Sequence, residues 1–498
     1  MRRKAALTCV AALAGLTLLA SEAAVAQKMS TRGGNMSVGT APPRTGGGRG
    51  GGGFNGGGRG AWGMPGVVLG VPRDYGPRPG VYYDDDMIDD GPRGRPPQRA
   101  ASGRPSGAPP AGERRMVPDE VVLEIGNATS PQTIDALQRR FNLQRLEQQR
   151  VQLTGTTFYR WRIPDRRSVT NVVRALESER TIASAQPNYL FTLQEDAASA
   201  AKVEGDPAQY ELAKLKLPQA HALATGDRIR VAVIDSAIDA THPEIAGSVV
   251  QSFDALAKPA APHKHGTSIA GAIAAHGRLM GAAPRAQILA IRAFDPKDAG
   301  AQGTTFAILK GLDWAAANGA RVINMSFAGP SDPAMRRSLE AARKKGIVLV
   351  AAAGNAGAKS PPLYPAADAN VIAVSATDAD DKIFESSNRG SHIAISAPGV
   401  QLLVPIPDNG YELSSGTSLS SAEISGIVAL MLERNGALTP DKVRTILRAT
   451  ARDLGPKGPD PTFGAGLADA YAAVSTEPAP AMAASPQPPI ERVSTGAR

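Results

Sequence analysis

The sequence predicts an α/β fold: a doubly wound, mostly parallel sheet domain, preceded by a small α+β open-faced sandwich and a long tract with no core pattern. Three observations in its 498 residues carry this. From about Tyr210 to Ser475, short Val/Ile/Ala runs without polar alternation recur between helical stretches, as in parallel strands covered on both faces. From Met116 to residue 195 the order is strand, helix, strand, strand, helix, strand, which is that of a small sandwich. Residues 27–115 hold 24 of the 53 glycines, with many Pro and Arg, and cannot bury enough apolar surface to offset ordering entropy.

Taken in order, residues 1–26 read as a secretory leader. Arg2, Arg3 and Lys4 precede a short apolar run, and Ala24-Val25-Ala26 fits a small-x-small cleavage site. The run is shorter than the ~20 residues that span a bilayer, and no later segment qualifies. The single cysteine, Cys9, lies in that leader, so disulfides, thiolate chemistry and cysteine-held metal are excluded from the mature chain. Export without disulfides suits a bacterial periplasmic or extracellular protein. Residues 27–115 read as a disordered tether. The acidic "YYDDDMIDD" inside them argues against a nucleic-acid arm.

In the sandwich, residues 116–195, "VPDEVVLEI" is a strand and "SPQTIDALQRRF" a helix capped by Ser130 with Pro131 next. "RLEQQRVQL" and "TTFYRWRIP" are strands, "SVTNVVRALESE" a helix and "IASAQPNYLFTL" the last strand. Residues 196–209 are a linker. In the larger domain, residues 210–475, the buried strands are "RIRVAVID", "AQILAIRAF", "RVINMSF", "GIVLVAAAGN" and "NVIAVSATD", with helices such as "TFAILKGLDWAAANG" between them. Residues 476–498 form a Pro/Ala-rich tail. Of the net charge of +9, the leader carries +2 and residues 27–115 carry +6. The folded part is left near neutral, which excludes a basic nucleic-acid groove there.

The chemistry-bearing residues lie where such a sheet forms sites, at the carboxyl ends of its strands. Asp235 closes "RVAVID". His265 opens "HGTSIAGAI", where Gly266, Ala270, Gly271 and Ala274 leave a slim helix face, and histidine suits proton transfer near neutral pH. Ser418, in "SSGTSLSSAEISGIVALML", stands just before an apolar helical run, where backbone N–H groups face any anion formed.

"VAVIDSAIDATHPEI", "HGTSIAGAI" and "SGTSLSSAEISGIVALM" resemble the three signature segments of the subtilisin-like serine proteases, the subtilases, in the family's order of acid, base and nucleophile. "IVLVAAAGNAG" is similar to the segment that presents the oxyanion-hole asparagine, here Asn355. "VINMSFAGP" resembles the edge that pairs with extended substrate. The resemblance covers roughly 210–475 and implies a serine endopeptidase acting through an acyl-enzyme. In it Ser418 is the nucleophile, His265 the general base, Asp235 its orienting acid and Asn355 an oxyanion donor. It implies substrate contacts at Ser326, Phe327, Ala328 and Gly329 and a specificity-pocket wall at Ala353 and Gly354. It also implies that 116–195 is an inhibitory propeptide domain, cut from the enzyme within 195–210. The implied partners are therefore peptide substrates and the chain's own propeptide. No cofactor is required. Calcium is common in the family, but no dense acidic loop names its ligands. An alternative within the resemblance is a weakly active or inactive scaffold that binds extended peptides.

Three departures from the family pattern bear on activity. Ala237 replaces a glycine, at a cost of about 1 kcal/mol if the position needs positive φ. Ser326-Phe327-Ala328-Gly329 replaces Ser-Leu-Gly-Gly, which points to a narrower cleft. Ala422-Glu423 replaces Pro-His, and a carboxylate there would raise the His265 pKa or pair with it if the two faced each other.

Overall fold

The computed structural model describes residues 106–194, 209–297 and 300–476. The leader, the Gly/Pro/Arg-rich tract up to residue 105 with its acidic patch, residues 195–208 of the linker and the tail from 477 lie outside the described residues.

The first unit runs β1 (Met116–Gly126), α1 (Pro131–Arg140), β2 (Gln144–Val151), β3 (Thr156–Arg162), α2 (Val169–Glu177) and β4 (Ile182–Leu193). Ser130 and Ser168 cap the two helices through Thr133 N and Asn171 N. The strands form an antiparallel sheet in the order β2-β3-β1-β4. Alternation along β1 splits its apolar residues between two faces. Val121, Leu123 and Ile125 join α1 and α2 in one core, while Val122 and Phe158 join the core of the larger domain. Residues 106–115, assigned by the sequence to the tract, pack on this unit. Glu177 accepts from Ser106 Oγ and Gly107 N, and the Arg115 carbonyl accepts from Leu190 N. Gly107 admits this contact because a Cβ there would lie 2.0 Å from the Ala185 carbonyl oxygen.

The larger domain runs α3 (Tyr210–Lys214), α4 (Leu217–His221), β5 (Arg230–Asp235), β6 (Val249–Asp254), α5 (Lys264–Ala274), β7 (Gln287–Arg292), β8 (Phe294–Lys297), β9 (Gly300–Thr304) and α6 (Thr305–Ala317). It continues with β10 (Val322–Met325), β11 (Phe327–Ala328), α7 (Pro333–Lys344), β12 (Val348–Ala352), β13 (Ile372–Thr377) and β14 (Ile393–Pro398). It closes with a hairpin of β15 (Leu402–Ile406) and β16 (Gly410–Ser414), then α8 (Thr417–Arg434), α9 (Pro440–Thr450) and α10 (Ala470–Ser475). Seven strands form an all-parallel sheet in the order β14-β13-β12-β10-β5-β7-β6. Successive residues feed opposite faces: Val231, Val233, Val348 and Val350 pack with α5 and α8, while Ala232, Ile234, Leu349 and Ala351 pack with α6 and α7. That is the doubly wound arrangement the apolar strands predict. The chain reverses its direction of winding between β5 and β10, so the crevice outside their carboxyl ends is the place for a site.

The first unit lies over the start of α6 and α7. Phe306 N donates to Asn188 Oδ1 and Ala334 N to Gln186 Oε1, so β4 side chains satisfy N–H groups that helix starts leave without partners. Gln186 Nε2 and Thr305 Oγ1 donate to Asp332, whose carboxyl burial pushes above its ordinary range. Arg337 pairs with Glu124 and Lys310 with Glu147 around this contact.

Candidate active site

Asp235 is the last residue of β5 and is fully buried. Its Oδ1 accepts from Ser236 N at 2.7 Å and Ser236 Oγ at 3.1 Å, and lies 2.8 Å from His265 Nδ1. A carboxylate only accepts, so Nδ1 carries the proton and Nε2 is left as an acceptor. Nε2 faces Ser418 Oγ at 3.1 Å. His265 reaches this position because α5 begins hard against the turn after β5. A Cβ on Gly266 would meet the Ser236 carbonyl oxygen at 2.6 Å. Ser418 is the second residue of α8. Three side chains spread over the sequence thus meet at the carboxyl edge of one sheet.

Asn355 follows β12. Its Oδ1 accepts from Thr417 N at 3.1 Å and Thr417 Oγ1 at 2.8 Å, which fixes the amide plane. Its Nδ2 is buried without a hydrogen-bond partner, a donor in want of an acceptor.

The end of the sandwich's last strand fills the crevice. The end of β4 runs between β9 and β11 as the middle strand of three, Leu190–Thr192 pairing with Gln302–Thr304 and Thr192–Leu193 with Phe327–Ala328. Gln194 N donates to the Ser326 carbonyl at 3.2 Å. The Gln194 carbonyl oxygen lies 2.6 Å from Ser418 Oγ, and its side-chain Oε1 accepts from Asn355 N at 2.8 Å. Two glycines make room. A Cβ on Gly329 would stand 2.3 Å from the Phe191 ring, and one on Gly416 would stand 2.8 Å from the Gln194 carbonyl oxygen and 3.1 Å from Asn355 Nδ2. Phe191 is buried edge-on against Phe327, which in turn packs on Phe294. The space left among Gln194, His265 and Ser418 is only about 10 Å³. A cavity of about 440 Å³ continues beside it, between Gln194, Ala328, Asn355 and Leu363. The signal for this arrangement was present in "IASAQPNYLFTL", a strand longer than its own small sheet needs.

Ser326, Phe327, Ala328 and Gly329 all touch this strand. Ala353 and Gly354 follow β12 and are held by Asn388, which donates from Nδ2 to the Ala353 carbonyl and from its backbone N–H to the Gly354 carbonyl. Of the three departures, Ala237 is not among the residues with positive φ, so its methyl is unstrained. Phe327 turns inward into the core instead of narrowing the crevice. Glu423 lines a small void with Glu211 and does not face His265, because α8 turns it to the opposite side from Ser418. Three neighbouring serines are occupied elsewhere: Ser420 donates to the Ala397 and Pro398 carbonyls, Ser421 to the Ser418 carbonyl, and Ser415 accepts from Gln401 N.

Among the described residues, no group of three or more His, Cys, Asp or Glu is placed to hold a metal ion. Glu244, the acid of "THPEI", is buried and its carboxylate accepts from Gly277 N, Arg278 N, Leu279 N and Tyr411 Oη. Among the described residues, no helix is long and apolar enough to cross a membrane.

Comparison with known proteins adds an independent finding. The family model "Subtilase family" matches residues 226–466. Thermitase of Thermoactinomyces vulgaris is 34% identical over 274 residues, which are 53% of this chain and 95% of thermitase. Subtilisin E of Bacillus subtilis is 34% identical over 258 residues, 49% of this chain and 66% of that protein. Among solved structures, fervidolysin from Fervidobacterium pennivorans, described as a keratinolytic enzyme related to subtilisin, superposes with a TM-score of 0.63 at 26% identity. That match covers 75% of this chain and 63% of fervidolysin.

Proposed function

The chain belongs to the subtilase family of serine endopeptidases, and from that premise we propose that it is exported as a proenzyme whose own first unit plugs the site until it is cut after Gln194. The observation that carries this reading is the end of β4, which lies in the crevice as an extended peptide with its Gln194 carbonyl oxygen 2.6 Å from Ser418 Oγ. Strand addition of this kind binds any extended backbone through main-chain hydrogen bonds and leaves the side chains to set preference. Substrate peptides are proposed to enter the same way, between β9 and β11.

The chemistry follows from the three side chains. Ser418 Oγ attacks the peptide carbonyl carbon while its proton passes to His265 Nε2. The imidazolium that forms is steadied by the Asp235 carboxylate at Nδ1. The negative oxygen of the tetrahedral intermediate takes the free Asn355 Nδ2 donor and the Ser418 backbone N–H. Collapse breaks the carbon–nitrogen bond, and the leaving amine takes the proton from Nε2. Water then repeats the cycle on the ester, releasing the acid and restoring Ser418. In the first turnover the bond broken is Gln194–Glu195, one residue ahead of the 195–210 joint expected from sequence. The freed unit stays docked through Asn188, Gln186 and the Arg337–Glu124 pair as an inhibitor. The leader read at residues 1–26 supports export to the periplasm or the medium.

The test is secretion of the full chain, intact-mass analysis and labelling with a fluorophosphonate. The parent is expected to yield a fragment beginning at Glu195 and to label, and Ser418→Ala to stay uncut and unlabelled. Label or cutting that survives Ser418→Ala would move the nucleophile elsewhere. A parent that neither labels nor cuts would favour the peptide-binding scaffold.

A further inference from the structure

Glu211 and Glu423 are 2% and 3% exposed and line one small void. Glu211 stands on α3, the first described element after residue 208. Glu423 stands on α8, five residues beyond Ser418. Oε2 of each carboxyl is buried without a hydrogen-bond partner. Gln209 Nε2 donates to Glu211 Oε1 at 3.0 Å. The void measures about 10 Å³ and is closed by Gly271 and Ala272 of α5, Leu279 and residues 402–405 of β15. That is room for one water molecule.

Among the described residues, nothing cationic lines the void with the pair. The walls from α5 and β15 carry no titratable group. On the N-terminal segment, Tyr210 donates its hydroxyl to the Val400 carbonyl, Lys214 is held by Asp381, and His221 contacts Met280 Sδ and the Ala282 carbonyl. Besides the pair, Asp378 is the acid that acts on the Tyr210 hydroxyl. A hard metal ion would need six to eight oxygens. The void offers two carboxyls and the Gln209 amide, whose oxygen already accepts from Met280 N, against otherwise aliphatic walls. Protons answer both problems at once. They remove two buried charges, and they turn two orphan acceptors into a donor and an acceptor that one water in the void can bridge.

We propose that Glu211 and Glu423 form a proton-held clasp that fastens the start of the catalytic domain to the helix bearing Ser418 and opens as pH rises. Burial pushes both carboxyls upward, and Glu211 pushes Glu423 further. A folded-state value above the unfolded one gives stability that is complete at low pH and is lost as pH climbs through the folded value. In the alkaline state the two charges repel, and the segment from Gln209 to Lys216 loosens from α5 and α8. The clasp lies apart from the plugged crevice, so its test does not depend on peptidase activity.

The experiment is thermal melting of the full chain carrying Ser418→Ala, which prevents self-cutting, at pH 5, 7 and 9. It is run with and without Glu423→Gln or Glu211→Gln. Each glutamine variant is expected to melt close to its parent at pH 5 and about 3 °C or more above it at pH 9. If Glu423→Gln does not fold, Glu211→Gln decides alone. A gap between parent and variant that is the same at all three pH values overturns the clasp. So does a parent stabilised by calcium chloride and destabilised by EDTA while the variants respond to neither, since the pair would then hold a metal ion.

Discussion

Changing Asp235 to asparagine isolates what its charge contributes. Oδ1 receives all three contacts, from Ser236 N, Ser236 Oγ and His265 Nδ1, while Oδ2 is buried without a partner. An asparagine oxygen can keep every one of these, with its NH₂ in the place of Oδ2, so the imidazole stays where it is. Only the attraction between carboxylate and imidazolium is lost. Two unit charges about 4 Å apart at an effective dielectric of about 20 attract by about 4 kcal/mol, which is roughly 10³ in rate. An amide that flips and forces the other imidazole tautomer adds about another tenfold, the equivalent change in a trypsin-type triad costing about 10⁴. The assay is the rate at which freshly secreted full chain is cut after Gln194, followed by electrophoresis and mass. Melting temperature checks that the fold is intact. Asp235→Asn is expected to slow cutting by roughly 10³ or more, with melting unchanged or raised, since a buried charge is gone. A variant of normal stability that cuts within tenfold of the parent would refute the assigned role of the carboxylate.

Two further outcomes rest on the same geometry. Asn355→Ala removes the unpartnered Nδ2 but neither Ser418 nor His265. Fluorophosphonate labelling should persist while peptide turnover falls by about 10²–10³, a figure carried over from the same change in subtilisin; full turnover would exclude the amide from the oxyanion site. Glu244→Gln leaves two of the four donors facing an NH₂, at about 1–3 kcal/mol each, so the melting temperature at pH 7 should drop by roughly 10 °C. Burial raises the Glu244 carboxyl, but Tyr411 and the three N–H groups outweigh it and the net shift is downward. Its stabilisation is therefore present above the ordinary value of 4.5 and fades as pH falls below it. Parent and variant should converge in acid, and a pH-independent gap would count against the carboxylate's role.

Legibility in the sequence followed the range of the interaction responsible. The parallel strands could be read because a strand buried on both faces has to be apolar throughout, as "RVAVID" and "IVLVAAAGN" are. The strands Val249–Asp254 and Ile393–Pro398 and the hairpin from Leu402 to Ser414 were not singled out. The first is half-exposed at an edge, with neither clean alternation nor an apolar run, and the hairpin is short and interrupted by Pro405 and Pro407. The reading of Glu423 against His265 failed for another reason. Nearness in sequence says nothing about which side of a helix a residue occupies, and five positions past Ser418 it had turned to Glu211.

Asp235, His265, Asn355 and Ser418 were legible in the sequence because the segments that carry them resemble those of the subtilases, in the family's order. Local composition likewise marked a covered parallel sheet and a compact part, although it placed the start at Met116 and residues 106–115 also pack on it. Only the folded chain decided that Gln194 is the residue of β4 lying against Ser418, more than two hundred residues further on, and that two glutamates on separate helices share one small void. Both depend on contacts between segments remote in sequence. Such contacts are set by how layers pack, and no local propensity encodes them.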